Sequence, residues 1–450
     1  MTMSDDAGDR MLSLIERYWH WDRVPVGDAT SRFVRELAAD LEAPFFSVAS
    51  GAECLTWVVP PRWRVNVARL TGPDGAILCD YHRNPLTLRS YSASFRGEVT
   101  REELIEHVRS DPARPERTIY DYRSQYKYGE RTEWGFSLPH RTVESLAAGT
   151  YRVEIDTVFD DGEMDVIDWT LPGRRPETIF LAAHTCHTAQ VNDGLACVAI
   201  IAELFRRLRR RPDRTYTYRA ILGPEYFAAA AVLDRGERVE NLIGGFYLDM
   251  LANGRPLGYQ TSSSGRSYVD MATANVLSHH VPDAFHSDFR DLWGNDEMFY
   301  DGPDFFIPTV GMGRELFDDY HTDNDDLAHL DAGQLADSLA VLERIVDAFE
   351  TDYVPVRTYR GPLYQSRYDL YVDVKTNQQG YFQLQNIQAL MDGRRSCLEI
   401  AGELGVDFEF VRGFADRLGE LGLAQRREHA ATRDVRYRFE HPPRYSSTRG

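Results

Sequence analysis

Apolar residues recur along this chain at two periods, and the places where the period changes mark its organisation. A helical period opens it, over about Asp9 to Trp19 and again from about Ala29 to Leu41, with Asp28 or Thr30 as the expected cap of the second helix. From about Phe45 to Gly97 the pattern shortens to β-rich runs such as CLTWVVP, WRVNVARL and AILCDY, separated by Pro, Gly and Asp. Gly72-Pro73-Asp74-Gly75 lies between two of these runs and predicts a hairpin turn. The β-rich stretch continues to near Leu138, with a helical patch at Arg101 to Ser110.

Beyond it, strand and helix patterns alternate. TYRVEIDTVF, EMDVIDWTL, the wholly apolar TIFLAAH, TYTYRAILG and IGGFYLDML read as strands. DGLACVAIIAELFRRLRRR reads as an amphipathic helix with Leu195, Val198, Ile201, Leu204 and Leu208 on one side, and EYFAAAAVL as a shorter helix. Apolar strands alternating with helices predict an α/β unit with a mostly parallel sheet covered on both faces. In such sheets the chemistry collects just past the strand ends, here at His184, at Gly223 to Glu225 and at Asp249. The helix AGQLADSLAVLERIVDAFE closes the unit near Ala348, and VPVRTYRGPLYQSRY reads as a linker. The remainder, three helices and a final strand DVRYRFE, predicts a winged helix-turn-helix.

Length and charge narrow the function. A chain of 450 residues implies two or three domains. Acidic residues outnumber basic ones, 70 to 51, a net charge of -19, which argues against a duplex-DNA or anionic-membrane surface. The expected recognition helix, DFEFVRGFADRLGEL, carries Asp407, Glu409, Asp416 and Glu420 against Arg412 and Arg417, so a protein contact or a homo-oligomer through this unit is expected before DNA. Cys54, Cys79, Cys186, Cys197 and Cys397 are scattered and odd in number, the start lacks a basic end followed by an apolar run, and no stretch is long and apolar enough to span a bilayer. A cytoplasmic, reducing location is the expectation.

Taken in order, the strand ends supply His184, His187 and Asp193 (HTCHTAQVNDG), Glu225 (GPEYF), Asp249 (YLDMLANG), and then Tyr320, His321 and Asp325 (DDYHTDNDDL). Imidazoles and carboxylates are what a zinc ion takes as ligands, and a carboxylate on a loop opening a helix, as Asp193 is, suits a bridge between two ions. Each residue alone has an ordinary explanation: Asp193 as a helix cap, Asp249 as a turn former before Asn253-Gly254, Glu225 as a first-turn acid. The ordered set does not.

The order His, Asp, Glu, Asp, His is similar to that of the co-catalytic zinc aminopeptidases. More closely, SGAECLTWVVPPRW, EWGFSLP, YRVEIDTVFDDGEMDVIDWTLPG, HTCHTAQVNDG, GNDEMFYDGPDFFIP and YHTDNDDL resemble the bacterial aminopeptidase-like domain proteins. The resemblance implies a mixed sheet between helices, with an inserted jelly-roll-like β domain and a C-terminal winged helix. The division is then 1–50 plus 140–355 for the α/β domain, 51–139 for the insert and 356–450 for the winged helix. It implies His187, with His184 as second choice, together with Asp193 and Asp249 at the first metal, Asp193 bridging, and His321 at the second with Asp325 orienting its ring. It further implies Glu225 as general base, Tyr320 near the oxyanion, and Asp296 and Glu297 lining the pocket to hold a substrate amine. Two departures stand out. Tyr226 replaces the second Glu that such enzymes place after the base, and Cys186 replaces an Asp two residues after the first His.

The expected activity is therefore zinc-dependent hydrolysis, with one or two ions, of an amide in a small peptide or an amide-bearing small molecule. The departures leave a second expectation, a catalytically inactive, metal-free binding or regulatory protein on the same fold.

Overall fold

The structure is a computed structural model and describes residues 5–292 and 294–433. The apolar strands form the middle of an eight-stranded mixed sheet, in the order Phe45–Ala49, Glu163–Leu171, Thr217–Gly223, Thr178–His184, Leu242–Asp249, Thr309–Arg314, Leu257–Gln260, Phe285–Ser287. The four central strands run parallel, and every residue in them is buried. Continuous burial is what a parallel ladder covered on both faces demands, and it explains why these runs are apolar without alternation. Helices Asp5–Tyr18, Leu195–Arg209, Tyr268–His280 and Ala332–Thr351 pack on one face, and Phe227–Arg235 on the other. The mixed sheet between helices is the fold class expected.

Helix Asp28–Leu41 is capped at its N-terminus by the backbone of Gly27 without a side-chain bond, so neither expected cap acts as one. Asp28 is already the first helical residue, and the Thr30 hydroxyl donates to the Val24 carbonyl at 2.6 Å.

A second, four-stranded antiparallel sheet is ordered Ile77–Asp80, Arg62–Thr71, Thr150–Asp160, Phe95–Thr100. The hairpin turn at 72–75 is present, with Gly72 N–H donating to the Ala76 carbonyl at 2.8 Å. The helix after it stops at Glu106, short of the expected Ser110, because Val108–Arg109 turns into a short pairing with Phe136–Ser137. Thr150–Asp160 lies inside this sheet, beyond the expected boundary at 139. Its alternating burial fits a strand with one face on a core, and only the next strand, Glu163–Leu171, crosses to the large sheet.

Helices Gln378–Leu390, Cys397–Leu404 and Phe408–Glu420 follow at the C-terminal end. Strand Ala424–Glu428 returns to pair antiparallel with Tyr353–Arg357, a strand that overlaps the start of the stretch read as a linker. The expected strand DVRYRFE lies outside the described residues. Ile387, Leu398, Val411 and Leu418 belong to the same apolar core as helices Tyr268–His280 and Ala332–Thr351, and Asn275 bonds the Val406 carbonyl and the Phe408 N–H at 2.8 and 2.9 Å.

Candidate metal centre

Three parallel strands deliver the first residues to one sheet edge. His184 ends its strand in register with Gly223, two residues before Glu225, and Asp249 ends the neighbouring strand. After His184 the chain loops back through Cys186 and His187 to Asp193 and enters the buried helix Leu195–Arg209. Gly194 makes that return possible. It sits at φ +92°, and a Cβ there would come within 2.5 Å of the His184 ring. His321 reaches the cavity seven residues past strand Thr309–Arg314, on a loop where it adopts φ +57°.

The donors separate into two trios that share Asp193. Asp193 Oδ1 lies 3.1 Å from His184 Nε2, which is 3.5 Å from Asp249 Oδ1. Asp193 Oδ2 lies 2.7 Å from His321 Nε2 and 3.8 Å from His187 Nε2. Two ligands held about 2.1 Å from one tetrahedral zinc stand about 3.4 Å apart, a separation inside both ranges. His184 Nδ1 is 2.5 Å from the Cys186 carbonyl, an atom that can only accept, so the proton sits on Nδ1 and the Nε2 lone pair faces Asp193. His187 has Nδ1 3.2 Å from Cys186 Sγ and Nε2 turned to Asp193.

The protein groups satisfy one another only in part. His184 Nε2, Asp193 Oδ2 and His321 Nε2 are buried and make no well-aligned hydrogen bond, although Asp193 faces both rings within 3.1 Å. Stranding one such group costs about 1–3 kcal/mol, so three pointing at one volume fit a bound cation. Burial alone would push Asp193 up, but His187, His321 and His184 outweigh it and hold its carboxyl well below the usual range. Burial, with the Asp193 charge, pushes Asp249 up. Burial also pushes His187 well below an ordinary imidazole, against the pull of Asp193.

The trios open on a cavity of about 650 Å³, lined among others by His187, Glu225, Asp249, Asn295, Tyr320 and His321. Glu225 Oε2 lies 3.9 Å from His187 Nε2, and burial raises its carboxyl to about 7. Tyr320 stacks on His321 with ring centres 3.8 Å apart.

The family model described as a domain of unknown function, DUF4910, matches residues 12–352. The chain belongs to the DUF4910 family. It is 26% identical over 427 residues, 93% of its length and 97% of the relative's, to a Clostridium acetobutylicum protein provisionally named as a polysaccharide biosynthesis protein with an aminopeptidase-like domain. A crystal structure from the same organism, provisionally called a peptidase, superposes with a TM-score of 0.84 at 24% identity, covering 94% of this chain and 97% of that one. A zinc aminopeptidase from Bacillus subtilis superposes at a TM-score of 0.54 and 13% identity, over 76% of this chain and 94% of that one. The fold of this DUF4910 chain is aminopeptidase-like.

Several expected roles change in the DUF4910 site. His184 and His187, weighed as alternatives, both reach Asp193, because the loop after His184 doubles back past Cys186. Asp296 and Glu297 are buried and occupied with backbone. The Asp296 carboxylate accepts from Tyr226 N–H at 2.6 Å, and that of Glu297 from Asn295 N–H at 2.9 and 3.0 Å. Gly294 and Asn295 line the cavity in their place, and Asn295 Nδ2 donates to Asp249 Oδ2 at 3.1 Å. Asp325 holds the Asp193 loop, its oxygens accepting from Asn192 N–H at 2.8 Å and Asp193 N–H at 3.0 Å, where the expectation had it orient the His321 ring.

Sequence reasoning missed three contributors to the site. Arg23 is fully buried and donates to the Tyr18, Trp19, Thr185 and Gln190 carbonyls, fixing the loop that carries His187. Cys186, read only as a departure, contacts both histidines and the Glu225 N–H. Tyr120, Tyr122 and Tyr126 come from the β-rich region. The first two rings pack on His187 and His321, and the Tyr126 hydroxyl donates to Glu225 Oε2. The tyrosine-dense run YDYRSQYKY was the available signal.

Proposed function

We propose that this chain is a zinc-dependent hydrolase of an amide or peptide bond. The observation that carries the reading is the pair of donor trios joined through Asp193, with the Glu225 carboxyl in the same cavity. His184, Asp193 Oδ1 and Asp249 would hold one zinc, and His187, Asp193 Oδ2 and His321 a second. Bound zinc lowers the pKa of water from 15.7 to about 7 and polarises a carbonyl oxygen. Glu225, its carboxyl raised to about 7, would serve as the base that takes a proton from the attacking water and hands it to the departing nitrogen. Tyr320, on the wall of the same cavity, would donate to the carbonyl oxygen as it gains charge. The cavity volume suits a small peptide or an amide-bearing small molecule, and the name of the Clostridium relative adds sugar-linked amides to that class.

The departures that favour a metal-free binding protein have counterparts in the geometry. His187 stands on the second trio where a second glutamate is missing, and Cys186 contacts the rings from the place of the missing aspartate. In this reading the four-stranded unit is the inserted β domain and the C-terminal helices form the winged unit. On the expected recognition helix Glu409 pairs with Arg344, and Asp416 with Arg426 and Tyr353, so these acids are used within the chain. Among the described residues no helix is long and apolar enough to cross a membrane. All five cysteines are buried and free, which is compatible with the reducing setting expected from the sequence.

Elemental analysis of protein purified without added metal, paired with a panel of aminoacyl-4-nitroanilides, tests the reading. Zinc is expected with the protein, and Glu225→Gln is expected to keep it while losing about 10²–10⁴-fold in kcat. Zinc-free protein, or a Gln variant that hydrolyses as wild type does, contradicts it.

A further inference from the structure

We infer that Tyr126 is a positioning residue for Glu225, so that the β-rich unit completes the active site of the α/β unit. This rests on Glu225 being the base proposed above. The two residues are 99 positions apart, and the Tyr126 hydroxyl donates to Glu225 Oε2. Its ring also packs on the two residues after Glu225, stacked on Phe227 with centres 6.0 Å apart and tilted on Tyr226 at 5.5 Å. Hydroxyl and ring together thus grip the Glu225 turn at three consecutive positions.

The grip is itself held rigidly. Tyr126 ends a 3-10 turn, Arg123–Tyr126. Arg123 clasps both oxygens of the buried Asp121 at 2.9 and 3.1 Å, and Arg89 donates to the same carboxylate at 2.9 Å. Arg131 closes the turn from the other side onto the Lys127 carbonyl at 2.8 Å. Upstream, the same stretch fastens the loop bearing Tyr320 and His321. Tyr120 N–H donates to the His321 carbonyl at 2.8 Å, Arg114 to the Tyr320 carbonyl at 2.7 Å, and Asp323 N–H to the Thr118 carbonyl at 2.9 Å. One segment therefore spans from the base to the second donor trio. A glutamate has several rotamers available in a cavity of this size, and a fixed donor on one oxygen selects the one that keeps the carboxylate beside His187. Ring packing alone would be served by phenylalanine, so the hydroxyl is the part to test.

Crystal structures of zinc-loaded wild type and Tyr126→Phe, with kinetics on the aminoacyl-4-nitroanilide panel, make that test. Wild type is expected to show the hydroxyl on Glu225. The Phe variant is expected to show the carboxylate in a different or split rotamer, with kcat down about ten- to a hundredfold, KM within about twofold, and wild-type zinc content and Tm. A Glu225 carboxylate that stays in place, or an unchanged kcat, overturns the inference. So does loss of zinc or a fall in Tm beyond about 5 °C, which would make the hydroxyl a structural part of the fold. The arms separate the two readings. If Glu225→Gln is inactive and Tyr126→Phe behaves as wild type, only this inference fails; if Glu225→Gln is fully active, the base assignment fails and takes it along.

Discussion

Two stretches of chain meet at the 650 Å³ cavity, and they are built in opposite ways. The sheet edge contributes His184, Glu225 and Asp249 directly after buried parallel strands, and Asp193 at the head of a buried helix, so ladder and helix hydrogen bonds set their positions. The segment 114–131 has only one short 3-10 turn, and arginine side chains on backbone carbonyls and on Asp121 hold it in place. The edge and the loops beyond it carry the donors of both trios; the segment contributes no donor to either and packs tyrosines against them. Regular backbone fixes His184 and Asp249, loops carry His187 and His321 into the same cavity, and the segment braces the loop that bears His321.

The largest effect should come from cutting the edge at its shared member. Asp193→Ala removes the one carboxylate common to both trios, and zinc measured by elemental analysis is expected to fall to a trace with no detectable turnover. Retention of one full zinc would mean that the trios are independent. A support behind the edge comes next. Asp325→Ala strands the Asn192 and Asp193 N–H groups and is expected to weaken zinc binding by about 10–100-fold in a chelator competition. Unchanged affinity would show that the loop holds itself.

Titration of chelated protein separates cavity from scaffold. The Glu225 carboxyl, raised by burial from 4.5 to about 7, binds its proton more tightly folded than unfolded. Its contribution therefore erodes as pH rises through that window. Glu225→Gln is expected to leave stability near wild type below pH 4.5 and to gain up to about 3 kcal/mol above pH 7 in denaturant melts. A gain that does not depend on pH would contradict the burial of an ionisable carboxyl. The smallest effect belongs to the segment. Arg114→Ala loses bonds to the Asp318 and Tyr320 carbonyls at 3.1 and 2.7 Å, and is expected to cost about 1–2 kcal/mol with zinc content intact. Loss of zinc in this variant would erase the division between the two stretches.

The same division governs what the sequence revealed. Thr178–His184, Thr217–Gly223 and Leu242–Asp249, the helices Leu195–Arg209 and Phe227–Arg235 and the residues past the strand ends were readable because continuous burial and the 3.6-residue period leave marks in composition. The fourth parallel strand, Thr309–Arg314, with two glycines in six residues, was not read. Thr150–Asp160 was readable as a strand, but alternation reports one-sided burial and not which sheet provides the core. His184 and His187 were set against each other because spacing cannot show a loop doubling back; Gly194, at positive φ against the His184 ring, is where that return is made. Asp296 and Glu297 were visible as an acidic pair, while the backbone N–H groups that occupy them were not. Tyr126 lies in a turn with no period, and its link to Glu225 exists only in three dimensions.

The central claim is that residues from separate strand ends and loops close on cations through Asp193. Anomalous diffraction at the zinc edge from crystals of the purified protein tests it most directly. The account predicts two peaks, one among His184, Asp193 and Asp249 and one among His187, Asp193 and His321. Zinc-loaded crystals with no peak touching Asp193 would contradict it.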